Sequence, residues 1–283
     1  MARVASRVPV HQLGERAEAA LARAGGRGRI IARLRASTWL DVDGDIVWLG
    51  CRGSAFHPRA MLSDDVDVGE SSAVDVDASG AAIWRPPSLR LDEAARSRLV
   101  DAAVGLRRAL DRLGAIDGFG HLLAGEGAPR GVQRVMAMAL DRAAPRVRDL
   151  AGACAADRAN DAADAAISLI GLGPGLTPSG DDFVGGVFFA RRLVRDTDDW
   201  HARGWGEAVQ RVSRAARERT HPISAALLGD LLEGQSHASL HELAAACSAG
   251  REPFASGRAL VALGHSSGWD ILAGFLVGLS PHV

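Results

Sequence analysis

The sequence predicts an α+β fold, with a small β-rich, barrel-like unit over residues 1–90 and a mainly α-helical unit over residues 91–283. Two observations carry this prediction. Short runs with strand-type alternation are confined to the region before residue 90, whereas apolar residues recur at helical spacing from residue 91 onward. A proline-rich break at residues 85–88 separates the two patterns, and we place the domain boundary there.

The β-rich region combines short strand signals with turn signals. The strand-type runs lie at residues 39–42, 45–49, 66–68 and 73–77. Asp43–Gly44, between the first two runs, is a dipeptide typical of a tight hairpin turn. Ahead of the strands, an Ala-rich segment at residues 11–24 predicts one leading helix.

The second region reads as a succession of helices. The first is predicted from residue 92 to residue 114, with one apolar stripe formed by Leu99, Ala103, Leu106, Leu110 and Leu113. The others are predicted around residues 132–139 and at residues 161–170, 183–194, 208–217, 224–233, 240–249 and 271–279. Residues 200–204 are polar and predict a loop.

Four glycines lie inside these predicted helices. In such positions a glycine costs about 1 kcal/mol relative to alanine, so we expect close packing against a neighbouring element. They are Gly185, Gly186, Gly274 and Gly278.

Composition excludes several classes of function. All 33 basic residues are arginine and tyrosine is absent, which rules out Schiff-base lysines, P-loop lysines and tyrosine acids or bases. A net charge of −1 with interspersed signs gives no extended basic face, so we expect no nucleic-acid partner. No apolar run reaches the roughly 20 residues of a membrane span, and no secretory signal follows Arg3 and Arg7. We therefore expect a cytoplasmic protein whose three scattered cysteines are reduced.

The most informative feature is a glycine-rich motif that occurs twice. Residues 171–182 read GLGPGLTPSGDD, and residues 264–270 read GHSSGWD. When residues 179–186 are aligned with residues 267–274, the Ser, the first Gly, the Asp and the last Gly recur at a constant offset of 88 residues. Either the chain contains a short internal repeat, or two helix N-termini have converged on the same composition.

Both loops run directly into an apolar helix, an arrangement that aims free backbone N–H groups at an anion. In the first loop Gly173, Gly175 and Gly180 let the backbone approach a ligand, and the Thr177 and Ser179 hydroxyls can donate hydrogen bonds. A helix N-terminus adds about 0.3–1 kcal/mol for a bound negative charge. The sequence therefore predicts one small-anion site built from two related loops.

The carboxylates at the loops allow three interpretations. Each can cap its helix, orient an arginine that faces the ligand, or hold Mg²⁺, so the metal stays open and no other cofactor is expected. Asp182 has a counterpart in Asp270 and Asp181 has none, which favours Asp182 and Asp270 as the paired carboxylates and leaves Asp181 as the freer one. Further along, capping alone explains the hydroxyls of Thr220 and Ser224.

His265 lies in the second loop beside Ser266 and Ser267, where an imidazole can act as an acid, a base or an anion donor. A structural role is the alternative for any single loop histidine. A Ser-His-Asp hydrolase is disfavoured, since adjacent Ser and His residues in one loop seldom supply both roles.

Three sequence motifs follow the β-rich region in this order: GLGPGLTPSGDDFVGG, THPISAALL and GHSSGWDILAGFLVGL. Together they resemble the domain family that includes the H subunit of bacterial oxamate carbamoyltransferase from allantoin degradation. The resemblance implies carbamoyl transfer in purine catabolism, in which oxalurate and phosphate interconvert with oxamate and carbamoyl phosphate. It also implies companion subunits and a small anionic substrate such as carbamoyl phosphate or oxamate.

On this hypothesis the first loop binds phosphate or carboxylate, the second loop forms the opposing wall, and the carboxylates orient these groups. The binding residues are Gly173, Gly175, Thr177, Ser179, Gly180, Ser266, Ser267 and Gly268, and the catalytic candidates are His265, Asp181, Asp182 and Asp270. Two other functions stay open: a non-catalytic scaffold or regulatory subunit, and a stand-alone hydrolase of a small amide.

Overall fold

The computed structural model describes residues 6–35, 37–69, 71–124, 132–195 and 197–280. It divides into two compact units, Met1–Pro87 with Ser236–Ala238, and Ser88–Gln235 with Ser239–Val283. The first unit contains a curled eight-stranded sheet that forms a half-barrel, and the second is helical. The predicted α+β class is confirmed.

The sheet of the first unit is mixed. Its strands are β1 (Ser6–Pro9), β2 (Gln12–Gly14), β3 (Arg27–Leu34), β4 (Ser37–Val42), β5 (Asp45–Cys51), β6 (Ala60–Ser63), β7 (Ala73–Asp77) and β8 (Ala82–Trp84). The order across the sheet is β1-β7-β3-β4-β5-β6-β2-β8, with parallel pairs at β1/β7, β5/β6 and β2/β8. Asp43 and Gly44 both have positive φ angles, of 54° and 86°, as a type I′ hairpin between β4 and β5 requires.

One helix, α1 (Glu15–Ala24), contributes to the core of this unit. Its Ala17, Ala20 and Leu21 are buried with the apolar side chains of the sheet, among them Leu40 and Leu49, which are fully buried. The predicted leading helix is therefore present but shorter, because residues 12–14 pair with β6 and β8 instead.

One predicted strand of the first unit is wrong. Residues 66–68 form a loop, in which the Asp65 carboxylate accepts a hydrogen bond from the Asp67 N–H and the Asp67 carboxylate accepts one from the Gly69 N–H. Aspartate side chains offer the backbone these local partners in place of a sheet ladder. Periodicity alone does not detect that competition.

The second unit contains ten helices among its described residues. They are α2 (Glu93–Arg107), α3 (Arg134–Ala155), α4 (Ala159–Ile167), α5 (Ser179–Leu193), α6 (Thr197–Ala202), α7 (Trp205–Arg219), α8 (Pro222–Leu232), α9 (Ala238–Ser248), α10 (Phe254–Val261) and α11 (Ser267–Leu279). Two short 3₁₀ helices, Leu110–Arg112 and Gly118–Leu122, connect α2 to the rest of the bundle.

Two helix predictions need correction. The first helix ends at Arg107 rather than at residue 114, and a 3₁₀ turn continues the chain, although Leu110 and Leu113 are buried as expected. Residues 200–202, predicted as a loop, belong to α6, where Trp200 is buried and stacks on Trp205. Tertiary packing of the two tryptophans outweighs the polar composition of that short segment.

Helices α5 and α11 form the centre of the second unit and pack against each other more extensively than any other pair of described elements. Residues 179–191 and 268–279 are buried on every side, as expected for helices that are surrounded by others. The close packing predicted at the internal glycines is confirmed. A Cβ atom at Gly278 would lie 2.6 Å from the Val187 carbonyl oxygen, and one at Gly185 would lie 2.4 Å from the Leu231 side chain.

In the described part of the chain, no helix combines the length and the apolar character that crossing a bilayer requires.

Candidate functional site

The two glycine-rich loops meet at the N-terminal ends of α5 and α11. The Thr177 hydroxyl in the first loop lies 3.1 Å from the Ser267 hydroxyl at the start of α11, and both side chains are partly exposed. Residues 90 positions apart are thus joined directly. The structure brings together the two segments that the sequence repeat predicts to converge.

Behind this contact the two copies of the motif approach each other through their serines and aspartates. Ser179 of the first copy lies beside Asp270 of the second, and Ser267 of the second lies beside Asp182 of the first. Each serine therefore serves the carboxyl of the other copy. The Ser179 hydroxyl and the Asp182 Oδ2 atom are buried and make no hydrogen bond of regular geometry within the protein.

Burial changes the protonation of both paired carboxyls. Burial, followed by the nearby charge of Asp270, raises the pKa of Asp182 well above its usual value, and the hydrogen bond from Ser267 opposes this only in part. Burial raises the pKa of Asp270 to about 6, and the hydrogen bonds from the Phe119 N–H and the Ser266 hydroxyl, together with the nearby Ser179 hydroxyl, oppose this rise only in part. Both carboxyls of the pair therefore hold a proton to a higher pH than a solvent-exposed aspartate does.

Asp181 has a different role from the one predicted. It is fully buried and accepts hydrogen bonds from the Gly171 N–H at 2.7 Å, from the Ser224 hydroxyl at 2.6 Å and from the Thr220 hydroxyl. The prediction that Asp181 is the freer carboxylate is wrong. Thr220 and Ser224 are not explained by capping alone, because both hold this carboxylate and thereby tie the first loop to the α7–α8 junction.

The glycines that begin the helices fit the preceding helix rather than a ligand. The Gly180 N–H donates to the Leu172 carbonyl at 2.8 Å, and the Gly268 N–H donates to the Leu263 carbonyl at 3.1 Å. A Cβ atom at either glycine would lie 2.0 Å from a carbonyl oxygen, of Leu169 or of Leu260. These two N–H groups are therefore already used, and the predicted donation to an anion does not apply to them.

The other loop glycines serve different purposes. Gly173, at φ 122°, lies against the start of α5, where a Cβ atom would approach the Ser179 nitrogen to 2.7 Å. Gly175, at φ 96°, is exposed, and no atom lies within 4 Å of the position of a Cβ atom. Gly173 therefore shapes the wall of the site, whereas Gly175 gives the loop an exposed left-handed turn.

His265 lies at the exposed edge of the site. Its side chain is 87% exposed, and Nδ1 lies 3.2 Å from Asp117 Oδ2. The adjacent Ser266 hydroxyl donates to Asp270 Oδ2 at 2.9 Å. In the second loop, His265 therefore faces solvent, whereas Ser266 and Ser267 face the buried carboxyl pair.

A third segment, residues 117–119, completes the site and was not predicted from the sequence. The Phe119 N–H donates to Asp270 Oδ1 at 2.6 Å. Gly118 has φ 50°, and a Cβ atom there would lie 2.2 Å from the same oxygen. The available signal was the run Gly118–Phe119–Gly120, in which two glycines flank an aromatic residue, but only the fold shows that it reaches Asp270.

Within the described residues, no group of three or more His, Cys, Asp or Glu side chains is arranged to hold a metal ion. Asp181 and Asp270 already accept hydrogen bonds from hydroxyl and backbone donors, and burial raises the pKa of Asp182. The three acids therefore do not present the cluster of free, charged carboxylates that Mg²⁺ prefers.

A comparison with known protein families gives a match to the segment that contains the two loops. No curated protein and no solved structure matches the sequence. The two loops, α5, α11 and the helices between them all lie within residues 169–279, and this segment matches the family model described as oxamate carbamoyltransferase subunit AllH, in agreement with the resemblance that the motifs predict.

Proposed function

We propose that this chain is a subunit of a cytoplasmic carbamoyltransferase that interconverts oxamate and carbamoyl phosphate with oxalurate and phosphate, or acts on a closely related small amide. The match of residues 169–279 to the AllH family supports this proposal. Companion subunits complete the enzyme, and the chain binds neither nucleic acid nor a membrane. Its own contribution is the site between α5 and α11.

The observation that carries the proposal is a pair of buried carboxyls, Asp182 and Asp270, whose pKa values are both raised by burial, together with the buried Ser179 hydroxyl and Asp182 Oδ2, which make no hydrogen bond of regular geometry. A primary amide presents N–H donors and a carbonyl acceptor on one small group. The Asp270 carboxylate can accept from the N–H groups, and the Ser179 hydroxyl, or the Asp182 carboxyl in the protonated form that burial favours, can donate to the oxygen. Protonation of Asp182 would also remove its charge repulsion toward a small anion.

Carbamoyl transfer fits such a site because it needs no covalent intermediate on the protein. Attack on the carbamoyl carbon passes through a tetrahedral oxyanion, which fixed donors stabilise and which close positioning favours. We assign the partly exposed hydroxyl of Thr177 to this oxyanion or to the phosphate, while Ser266 and Ser267 hold the carboxyls of Asp270 and Asp182 with their protons. Gly173, Gly180 and Gly268 give the walls their close fit.

A stand-alone amide hydrolase is the weaker alternative. Residues 264–268 spell Gly-x-Ser-x-Gly, the pattern of a nucleophile elbow, with Ser266 at its centre. In hydrolases that turn follows a strand, whereas this loop connects helix α10 to helix α11. Ser266 donates to Asp270 instead of to a histidine, so it lacks the base that an activated nucleophile requires.

The proposal is tested by co-expressing the chain with candidate companion subunits of the carbamoyltransferase and measuring phosphate-dependent cleavage of oxalurate. Ser179→Ala and Asp182→Ala are compared with Ser213→Ala and Asp141→Ala, which change residues outside the site. We expect the first two variants to lose about 100-fold or more in kcat/KM and the other two to retain full activity. Equal activity in all four would contradict the assigned site.

Calorimetry of the isolated chain separates catalysis from a scaffold role. Titration with oxamate, carbamoyl phosphate and phosphate, with and without Mg²⁺, should give binding that Asp182→Ala abolishes. If the chain binds none of them, yet its removal prevents assembly of the other subunits, the scaffold interpretation replaces the present one. Hydrolysis of an amide without phosphate and without partners would favour the hydrolase.

A further inference from the structure

Asp117 connects the exposed histidine to the buried part of the site. Its two carboxylate oxygens face different groups: Oδ1 accepts from the Gly118 N–H at 2.7 Å, and Oδ2 lies 3.2 Å from His265 Nδ1. The first contact caps the 3₁₀ helix Gly118–Leu122 and fixes the plane of the carboxylate. The second oxygen is thereby held toward the imidazole, although both side chains are accessible to solvent.

The same segment is attached to the carboxyl pair. Phe119, two residues after Asp117, donates its N–H to Asp270, and Gly118 packs against both Asp270 and Ser266. Asp117 is thus held on one side by the 3₁₀ helix and on the other by the start of α11. His265 directly precedes Ser266, so these packed contacts also fix the position of Asp117 relative to His265.

We infer that Asp117 is a positioning residue for His265, and that His265 is the acid–base residue of the reaction. This inference rests on the proposed function. A carboxylate at Nδ1 selects the tautomer that carries its proton on Nδ1, which leaves Nε2 free to take a proton from a substrate. The sequence pointed to His265 but offered no partner for it, because Asp117 lies 148 residues earlier and outside the segment that matches the family.

The dyad moves one proton during carbamoyl transfer. A bond forms between the oxamate amide nitrogen and the carbamoyl carbon, and the bond from that carbon to the phosphate oxygen breaks. One proton leaves the nitrogen for Nε2 of His265, and phosphate departs with the electron pair of the broken bond. In the reverse direction His265 returns the proton to the nitrogen as phosphate attacks the carbamoyl carbon.

Two further titratable groups of the described residues lie near the dyad. His121, one turn along the 3₁₀ helix, lies near Asp117, and burial lowers the pKa of His121 despite that carboxylate. Asp270 lies behind Asp117, and the charge of Asp117 adds to the rise in the pKa of Asp270. Of these two histidines and one acid, His265 is the group at the exposed edge.

The tautomer is measured directly by NMR on protein with ¹⁵N-labelled histidine, using the two ring-nitrogen shifts of the neutral imidazole. The His265 signals are assigned from their loss in His265→Gln. In the unchanged protein we expect the Nδ1–H form to predominate, and in Asp117→Asn we expect a shift toward the Nε2–H form. Asp101→Asn, an exposed acid on α2, is the matched control and should leave the spectrum unchanged.

Kinetics of the assembled enzyme give the second readout. We expect His265→Gln to lower kcat about 100-fold and Asp117→Asn about ten-fold, with little change in KM, whereas Asp117→Glu should restore part of the loss. An unchanged tautomer in Asp117→Asn would overturn the inference even if the enzyme turns over normally. If no form of the protein shows turnover, including the unchanged chain, the proposed function is rejected. The NMR measurement still tests the interaction between Asp117 and His265 in that case.

Discussion

Gly186 on α5 and Gly274 on α11 each pack against the main chain of the other helix. A Cβ atom at Gly186 would lie 2.3 Å from the Ile271 carbonyl oxygen, and one at Gly274 would lie 1.9 Å from the Phe183 carbonyl oxygen. Gly186 and Phe183 precede Gly274 and Ile271 by the same 88 residues. The contacts are reciprocal, which favours a true internal repeat over two helix ends that converged in composition.

This reciprocity predicts a large loss of stability in Gly274→Ala. The added methyl group has backbone rather than a flexible side chain in its way, so the helices must separate, and we expect a loss of about 3 kcal/mol in the free energy of unfolding. Gly152→Ala on α3 is the matched control, since nothing lies within 4 Å of its Cβ position. Urea unfolding should show the control as stable as the unchanged protein or up to about 1 kcal/mol more stable. Equal stability of the two variants would refute the close contact.

Asp181→Ala should destabilise the protein by releasing the first loop. The substitution leaves the Gly171 N–H and the hydroxyls of Thr220 and Ser224 without their acceptor, and we expect a loss of about 3 kcal/mol. Asp141→Ala, on the exposed face of α3, is the control for loss of an acid. The measurement is again urea unfolding. If Asp181→Ala proves as stable as its control, the carboxylate does not hold the loop.

The raised pKa of Asp270 predicts a specific dependence of stability on pH. The folded protein holds this proton up to about pH 6 and the unfolded chain only up to about 3.8, so stability falls as the pH rises between these values. The full effect corresponds to about 3 kcal/mol. Asp270→Asn carries no titrating group there, and its stability should fall less between pH 4 and pH 7 than that of the unchanged protein.

Unfolding curves at several pH values check this expectation, with Asp141→Asn as the control. That variant should follow the unchanged protein in parallel. Parallel behaviour of Asp270→Asn as well would show that Asp270 is not protonated by burial. Carboxylates with a lowered pKa, such as Asp77 at about 2, lose their stabilising contribution at more acidic pH and do not obscure the comparison.

Much of the candidate site followed from local sequence. The repeated Ser, Gly and Asp predicted that the two loops belong together, and Thr177 and Ser267 do meet. The internal glycines predicted close packing, and every one of them faces a neighbour too near for a Cβ atom. These predictions worked because glycine and a helix start leave a strong local pattern.

The roles of individual acids did not follow in the same way. Asp181 and Asp182 are neighbours in sequence, yet one is held by three donors and the other makes the carboxyl pair with Asp270. Successive helical residues point about 100° apart, so packing against α8 or α11 separates their functions. The loop at residues 66–68 shows the same limit, because aspartate side chains compete locally with a strand pattern.

Local sequence was enough to predict the α+β class, the family resemblance of residues 169–279 and the two loop–helix motifs, because periodicity, glycine placement and a long specific motif are local properties. The packing of the helices was needed to show that Ser179 lies beside Asp270 and Ser267 beside Asp182, that three donors hold Asp181, and that residues 117–119 reach Asp270. Burial and the charges of distant segments determine which acids have a raised pKa and which donors remain free, and neither is defined until the helices pack.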